Sequence, residues 1–203
     1  MKILTKLNNS FISNITCAFN DRDNLYLVMD YLQGGDLRNY LADSDRLGED
    51  EVKFIIACII KAIEYIHMNK IFHRDIKPEN LVLDSKGYLR LTDFGIARCI
   101  KDKQNLDASG TPGYMAPEVI CKQVHSVTVD FYAVGIICYE LMLGKRPYYG
   151  QNRQEIRDAI LSKQHALKKK DIPIGWSADS LDFINKLIQR QPNARLGYKS
   201  GVK

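Results

Sequence analysis

Residues 50–68 constrain the chain most. Val52, Ile55, Ile56, Ile59, Ile60, Ile63 and Ile66 recur there at helical spacing after an acidic start, which predicts a long helix apolar on most sides. Such a helix needs a core around it. The chain can build one: its 203 residues are 45% hydrophobic and 26% charged, an ordinary globular balance that excludes collagenous, low-complexity and disulfide-scaffold classes. A second apolar segment, residues 129–143, ends at Gly144 with Pro147 three residues on, and predicts another buried helix.

The remaining pattern is lighter. Residues 12–18 and 25–29 are apolar and β-prone around the polar turn Asn20-Asp21-Arg22-Asp23-Asn24, which predicts a hairpin. Residues 81–83 and 88–91, joined by Asp84-Ser85-Lys86-Gly87, predict a second. A polar stretch covers 101–113, and residues 153–163 and 177–189 read as surface amphipathic helices. Strands do not alternate regularly with helices, so the expected fold class is α+β rather than doubly wound α/β.

No apolar run reaches the roughly 18 residues of a membrane span. The opening Met1-Lys2-Ile3-Leu4-Thr5-Lys6-Leu7 lacks the apolar core of a signal peptide, so an intracellular, cytoplasmic protein is expected. Five cysteines, odd in number and widely spaced without a CxxC pair, read as reduced thiols rather than zinc ligands or a redox dithiol. The net charge of +5 is spread along the chain apart from Lys168-Lys169-Lys170, a run without interleaved aromatics that reads as a solvated loop; no nucleic-acid partner is expected.

The chemistry concentrates in His73-Arg74-Asp75-Ile76-Lys77-Pro78-Glu79-Asn80, a polar loop between the long helix and the second hairpin. Asp93-Phe94-Gly95 follows that hairpin, and Ala116-Pro117-Glu118 comes later. Taken singly, Asp75 also fits a turn cap, Asn80 a turn and Asp93 a strand end. Together, in this order, they resemble the catalytic core of eukaryotic protein kinases. Lys77-Pro78-Glu79-Asn80 and Thr111 resemble the serine/threonine class. Tyr31-Leu32-Gln33-Gly34-Gly35-Asp36-Leu37 and Gly110-Thr111-Pro112 resemble its AGC-like branch.

The resemblance implies phosphoryl transfer from ATP with Mg²⁺ to protein substrates, in which the protein mainly positions reactants and offsets charge. Asp75 is then the base for the substrate hydroxyl, Lys77 meets the γ-phosphate, and Thr111 bonds both. Asn80 and Asp93 supply oxygen ligands suited to Mg²⁺. Met29, Asp30, Leu32 and Val82 match the adenine-binding hinge and pocket, although residues 27–32 alone also fit an ordinary strand leading into the Gly34-Gly35 turn. Acids at Asp36, Glu79 and Glu140 imply substrates with arginine N-terminal to the acceptor Ser or Thr, though each also fits a surface acid or a helix cap, while Ala108, Pro112 and Met115 imply an apolar residue after it. Ile96 leans toward Thr as acceptor. Asp130 matches the acid that receives the N–H groups of His73 and Arg74, and Glu118 with Arg195 an interior ion pair. Asp107 stands where the family commonly carries a phosphorylated Thr, so its charge is expected to pair with Arg74 and Arg98. Ser109 is the alternative regulatory residue, and Asp107 also fits a solvated loop acid.

The resemblance covers the whole chain as a partial kinase domain: residues 1–30 as the end of the smaller lobe and hinge, residues 31–203 as the helical C-terminal lobe. Ile3, Leu4 and Leu7 resemble the tail of the helix bearing the family's glutamate. The Gly-rich loop, the strand lysine and that glutamate have no counterpart here, and the last helix is expected to be missing. Ile12, Ile15 and Leu25 are accordingly expected to form an exposed apolar patch. A second reading is a catalytically impaired fragment acting as a binding or scaffold module.

Overall fold

The computed structural model describes residues 3–42, 47–100, 106–199 and 201–202; Met1, Lys2 and residues 101–105 of the expected polar stretch lie outside the described residues. Strands β1 (Ile15–Asn20) and β2 (Leu25–Met29) pair antiparallel with Asn20 opposite Leu25. Asp21 builds their turn, its Oδ1 accepting the N–H groups of Asp23 and Asn24 at 2.8 and 2.7 Å.

The hairpin starts later than its apolar pattern suggests, and Ile12 is not part of it. Asn14 separates the two: its Nδ2 donates to the carbonyls of Asn9 and Ile12 and to the Asp30 carboxylate, holding a loop where a strand was expected. Ile12 instead bridges Leu91 of the second hairpin and is fully buried. The expected exposed patch is corrected accordingly: Ile12 lies in the core, Ile15 is half-buried, and Leu25 stays 62% exposed in a hairpin that also exposes Phe19, Leu27 and Val28.

Helix α1 (Leu37–Ala42) precedes α2 (Glu49–Met68), whose first turn carries Glu49, Asp50 and Glu51. These acids suit the positive end of the helix, and Glu51 Oε2 accepts the Gly48 N–H at 2.7 Å. Val52, Ile55, Ile56, Ile59, Ile63 and Ile66 are buried, while Lys53, Phe54, Ala57 and Lys61 form an exposed outer face. The helix is therefore two-sided rather than apolar on most sides, because its isoleucines fall in one stripe.

Four short strands follow: β3 (Ile71–Phe72), β4 (Leu81–Leu83), β5 (Leu89–Leu91) and β6 (Arg98–Cys99). β3 pairs antiparallel with β6 and β4 with β5, which makes three two-stranded sheets among the described residues. Their registers matter more than their size. With Phe72 opposite Arg98 and Leu81 opposite Leu91, the loops 73–80 and 92–97 are fastened to each other at both ends.

The last helices are α3 (Pro117–Ile120), α4 (Thr128–Leu143), α5 (Arg153–Ser162) and α6 (Ala178–Leu187). In α4 every residue from Thr128 to Met142 is buried, as expected of a helix apolar all round. It packs against both α2 and α6. Gly135 makes the α6 approach possible: a Cβ there would lie 2.7 Å from Leu187 Cβ and 2.8 Å from Ile188 Cγ2. Gly144 ends α4 in the left-handed conformation, φ 70°, donating to the Glu140 carbonyl. Fully burying each isoleucine or leucine of this core contributes about 1.5–3 kcal/mol. The architecture is α+β with helices dominant. No helix among the described residues is long and apolar enough to cross a membrane.

Candidate active site

The site forms where the two fastened loops meet. Asp75 accepts three side-chain bonds there: from Lys77 Nζ to Oδ2 at 2.8 Å, from the Thr111 hydroxyl to Oδ1 at 2.7 Å, and from Asn80 Nδ2 to Oδ2 at 3.3 Å. Lys77 Nζ also donates to Thr111 Oγ1 at 2.8 Å, closing a triangle, and Asn80 Nδ2 donates to the Asp75 carbonyl at 2.9 Å. Burial opposes ionisation of Asp75, but the bonds from Lys77 and Thr111 outweigh it and hold the carboxyl below its usual range. The group is an ionised acceptor.

A buried acid under the loop sets its shape. Asp130, in the first turn of α4, is fully buried; its Oδ2 accepts the His73 N–H and its Oδ1 the Arg74 N–H, both at 2.9 Å. His67 Nε2 from α2 lies 2.8 Å from Asp130 Oδ2. Burial again opposes the charge, and these partners overcome it, so the Asp130 carboxyl is depressed. Arg74 (φ 73°) and Asp93 (φ 58°) are both left-handed, a conformation costing a non-glycine residue on the order of 1–3 kcal/mol. The bonds to Asp130 offset that strain at Arg74.

His73 ties the loops together. Its Nε2 lies 2.9 Å from the Thr92 carbonyl and its Nδ1 receives the Asp75 N–H at 3.3 Å, a pairing that requires the neutral ring protonated on Nε2. Burial favours the same neutral form and pushes its pKa down.

Asn80 and Asp93 are brought together through Thr92, whose N–H donates to the Asn80 carbonyl at 2.9 Å. Because the Asn80 amide presents its nitrogen to Asp75, its oxygen is turned away from that carboxylate. Asp93 Oδ1 accepts the Gly95 N–H at 3.1 Å. An amide and a carboxylate oxygen suit a hard divalent cation. No cluster of three or more His, Cys, Asp or Glu among the described residues could hold a metal alone, so a cation here would need further ligands from phosphate or water.

The segment leading into α1 runs along β4: Gly34 N–H donates to the Leu83 carbonyl and Leu83 N–H to the Gly35 carbonyl, both at 2.9 Å, while Asp36 bridges Val82. Gly34 permits this contact, since a Cβ there would fall 2.6 Å from Leu83 Cβ. Met29 packs against the core, and Leu32 and Val82 are half-buried. Asp30 has a role that sequence reasoning missed. Its N–H donates to the Asn14 carbonyl, and its Oδ2 accepts from Asn14 N, Asn14 Nδ2 and Arg90 Nη1 at 3.0, 2.9 and 3.2 Å.

The three acids matched to substrate arginines all have partners inside the chain. Asp36 caps α1, its Oδ1 accepting Asn39 N at 2.8 Å and its Oδ2 Asn39 Nδ2 at 3.0 Å. Arg38 Nε donates to Glu79 Oε1 and its Nη1 to Glu140 Oε1, each at 2.9 Å, and Nη2 reaches the Tyr114 hydroxyl. Tyr114 in turn donates to Glu140 Oε2. Burial opposes the Arg38 charge, yet Glu140 and its neighbours keep its pKa raised, while burial and Glu140 raise that of Tyr114. Arg38 was not among the candidates read from the sequence.

Farther along, Ala108 and Pro112 are half-buried, whereas Met115 is 3% exposed with its Cε beneath Gly110. Asp107 Oδ2 lies 3.5 Å from Arg98 Nη2 between half-exposed side chains. It does not hydrogen-bond Arg74, whose Nε donates to the Ile96 carbonyl at 2.7 Å and whose Nη1 and Nη2 have no hydrogen-bond partner among the described residues. Burial and Arg98 push the Arg74 pKa down. Arg195 Nη1 and Nη2 meet Glu118 Oε1 and Oε2 at 2.7 and 3.0 Å, both side chains buried, and Nη1 also donates to the Thr128 carbonyl at 2.8 Å.

Residues 1–203 match the family described as protein kinase domain. The chain is 38% identical over 203 residues to a protein of Dictyostelium discoideum named "probable serine/threonine-protein kinase", covering 99% of this chain and 43% of that one. It is 35% identical to the cAMP-dependent protein kinase catalytic subunit of the same organism, covering 96% of this chain and 29% of the relative. It is 37% identical to cGMP-dependent protein kinase 2 of Homo sapiens, over 99% of this chain and 26% of that protein. The chain thus spans less than half the length of these relatives.

Proposed function

The chain belongs to the protein kinase domain family, and from that premise we propose that it transfers the γ-phosphate of ATP to serine or threonine hydroxyls of protein substrates. The observation that carries this reading is the closed triangle of Asp75, Lys77 and Thr111. An ionised acceptor and an ammonium lie one hydrogen bond apart, which suits a reaction that asks the protein for positioning and charge compensation.

Adenine lies against Met29, Leu32 and Val82 in this reading. The Asp30 carbonyl is its main-chain acceptor, because the Asp30 N–H already donates to Asn14. Lys77 meets the γ-phosphate as a point charge. The substrate oxygen attacks the γ-phosphorus in line, its proton passes to Asp75, and the bond from that phosphorus to the bridging oxygen breaks to release ADP. Asn80 and Asp93 would hold Mg²⁺, which when bound neutralises charge on the phosphates. Thr111 positions Asp75 and Lys77, and Asp107 beside Arg98 helps to order the segment that carries Thr111.

Substrates in this reading carry a basic residue N-terminal to the acceptor hydroxyl, met at the edge formed by Asp36, Glu79 and Glu140. The following apolar residue meets Ala108 and Pro112 over the buried Met115. The test is transfer of labelled phosphate from MgATP to an arginine-bearing serine peptide, compared with Asp93→Ala. Signal from the unaltered protein and a loss of about 10²-fold or more in the variant support the assignment. Equal signals overturn it.

A further inference from the structure

Beside the Asp75 triangle lies a second polar cluster, which holds two of the acids assigned above to the substrate's basic residue. Glu79 adjoins Asn80, and Tyr114 follows Thr111 by three residues, so the cluster borders the crevice. At its centre the planar guanidinium of Arg38 is held between Glu79 and Glu140, with Tyr114 closing the back. The side chains of Arg38 and Glu79 are 34% and 43% exposed and that of Glu140 only 11%, so the cluster has an open outer edge and a closed floor.

The charges sum differently from what three acids alone suggest. Glu79 and Glu140 together carry two negative charges, of which Arg38 cancels one. Asp36 keeps its charge, since its partner Asn39 is neutral, but both of its oxygens are engaged in capping α1. The Arg146 guanidinium lies over the Tyr114 ring, 5.7 Å from its centroid, and adds positive charge to the same place. A guanidinium fork matches a carboxylate better than any other cation, and here that match is already made within the chain. Within this cluster Glu79, bonded to Arg38 through one oxygen, can receive a cation at its second oxygen without breaking any bond of the Arg38 network.

Resting on the phosphotransfer reading above, we propose that Arg38 permanently occupies a guanidinium subsite made by Glu79 and Glu140, so that this protein selects substrates with one arginine before the acceptor residue and gains little from a second. A substrate arginine could enter the inner position only by displacing Arg38 from Glu140. One taken at Glu79 needs no displacement.

The test uses three serine peptides with none, one or two arginines on the N-terminal side, and compares the unaltered protein with Arg38→Gln and Arg38→Lys by kcat/KM. The unaltered protein should gain less than about threefold from the second arginine. Arg38→Gln, which removes the charge but keeps a long polar side chain over Glu140, should raise that gain to about tenfold or more, chiefly through KM. Arg38→Lys should keep the original pattern. Thermal unfolding of each variant establishes that it is folded. A second-arginine gain that is the same in Arg38→Gln as in the unaltered protein overturns the proposal. Absence of transfer to all three peptides by the unaltered protein instead overturns the phosphotransfer reading. The subsite is then read from dissociation constants of the same peptides, fluorescently labelled: the same rise in the two-to-one arginine ratio supports the Arg38 assignment, and an unchanged ratio overturns it.

Discussion

The Thr111 hydroxyl donates to Asp75 Oδ1 at 2.7 Å across 36 residues of sequence. This bond joins the loop 73–80 to the segment before α3, and Lys77 completes the triangle from the side. In the proposed reading Thr111 positions Asp75, so its removal should loosen Asp75 and let its pKa return toward the ordinary carboxylate range. A hydrogen bond to a charged group is worth about 1.5–3 kcal/mol. Thr111→Ala should therefore lower kcat on the order of 10- to 100-fold with a smaller change in KM, while Thr111→Ser retains most activity. Steady-state kinetics on a serine peptide checks both.

The Arg195–Glu118 pair should dominate the mutational stability of the helical part. Both side chains are buried and joined by two short bonds, so removing either partner leaves an unpaired charge in the core. Arg195→Ala or Glu118→Ala should cost about 3–5 kcal/mol, measured by urea unfolding. Exchanging both for apolar residues of similar volume should recover much of that loss.

Gly135 predicts a packing effect without any charge. A methyl group at this position would press on Leu187 and Ile188 of α6 at 2.7 and 2.8 Å. Gly135→Ala should destabilise by about 1–3 kcal/mol even though alanine favours helix, and Gly135→Val by more. Thermal unfolding of the two variants gives the order.

Acid should weaken the protein in two stages. Burial depresses the His73 pKa, so its folded value lies below the unfolded value of about 6.5. The unfolded chain therefore takes up the proton first, and stability present above that pH is lost as pH falls, by up to about 1.4 kcal/mol per pH unit. His165 is depressed by burial and Lys163 and acts with the same sign. Asp75 and Asp130 follow: their folded carboxyls are depressed, so their contribution is full above about 3.9 and disappears as pH drops through the folded values. Urea midpoints between pH 7.5 and 5 should decline, less steeply in His73→Gln than in the unaltered protein.

What could be read from the sequence was what chemistry places at short spacing. Asp75, Lys77 and Asn80 stand within one loop, and the turn residues around Asp21 and Asp84 announce both hairpins. The α4 helix was legible because burial on all sides leaves no polar stripe. The arginine at 38 was not, since its partners Glu79 and Glu140 lie 41 and 102 residues away and either acid alone looks available. Nor was the place of Ile12, where Asn14 turns the chain out of the hairpin and toward Leu91. The β3 and β6 strands are two residues each, too short for any periodic signal, yet their pairing fastens the loops that carry the site.

The most direct measurement is single-turnover transfer of the γ-phosphate from MgATP to a serine peptide by the unaltered protein and by Asp75→Asn. A base role for Asp75 requires transfer by the first and a rate lower by about 10²- to 10⁴-fold in the second, with peptide binding largely retained. Equal rates in the two proteins would contradict it.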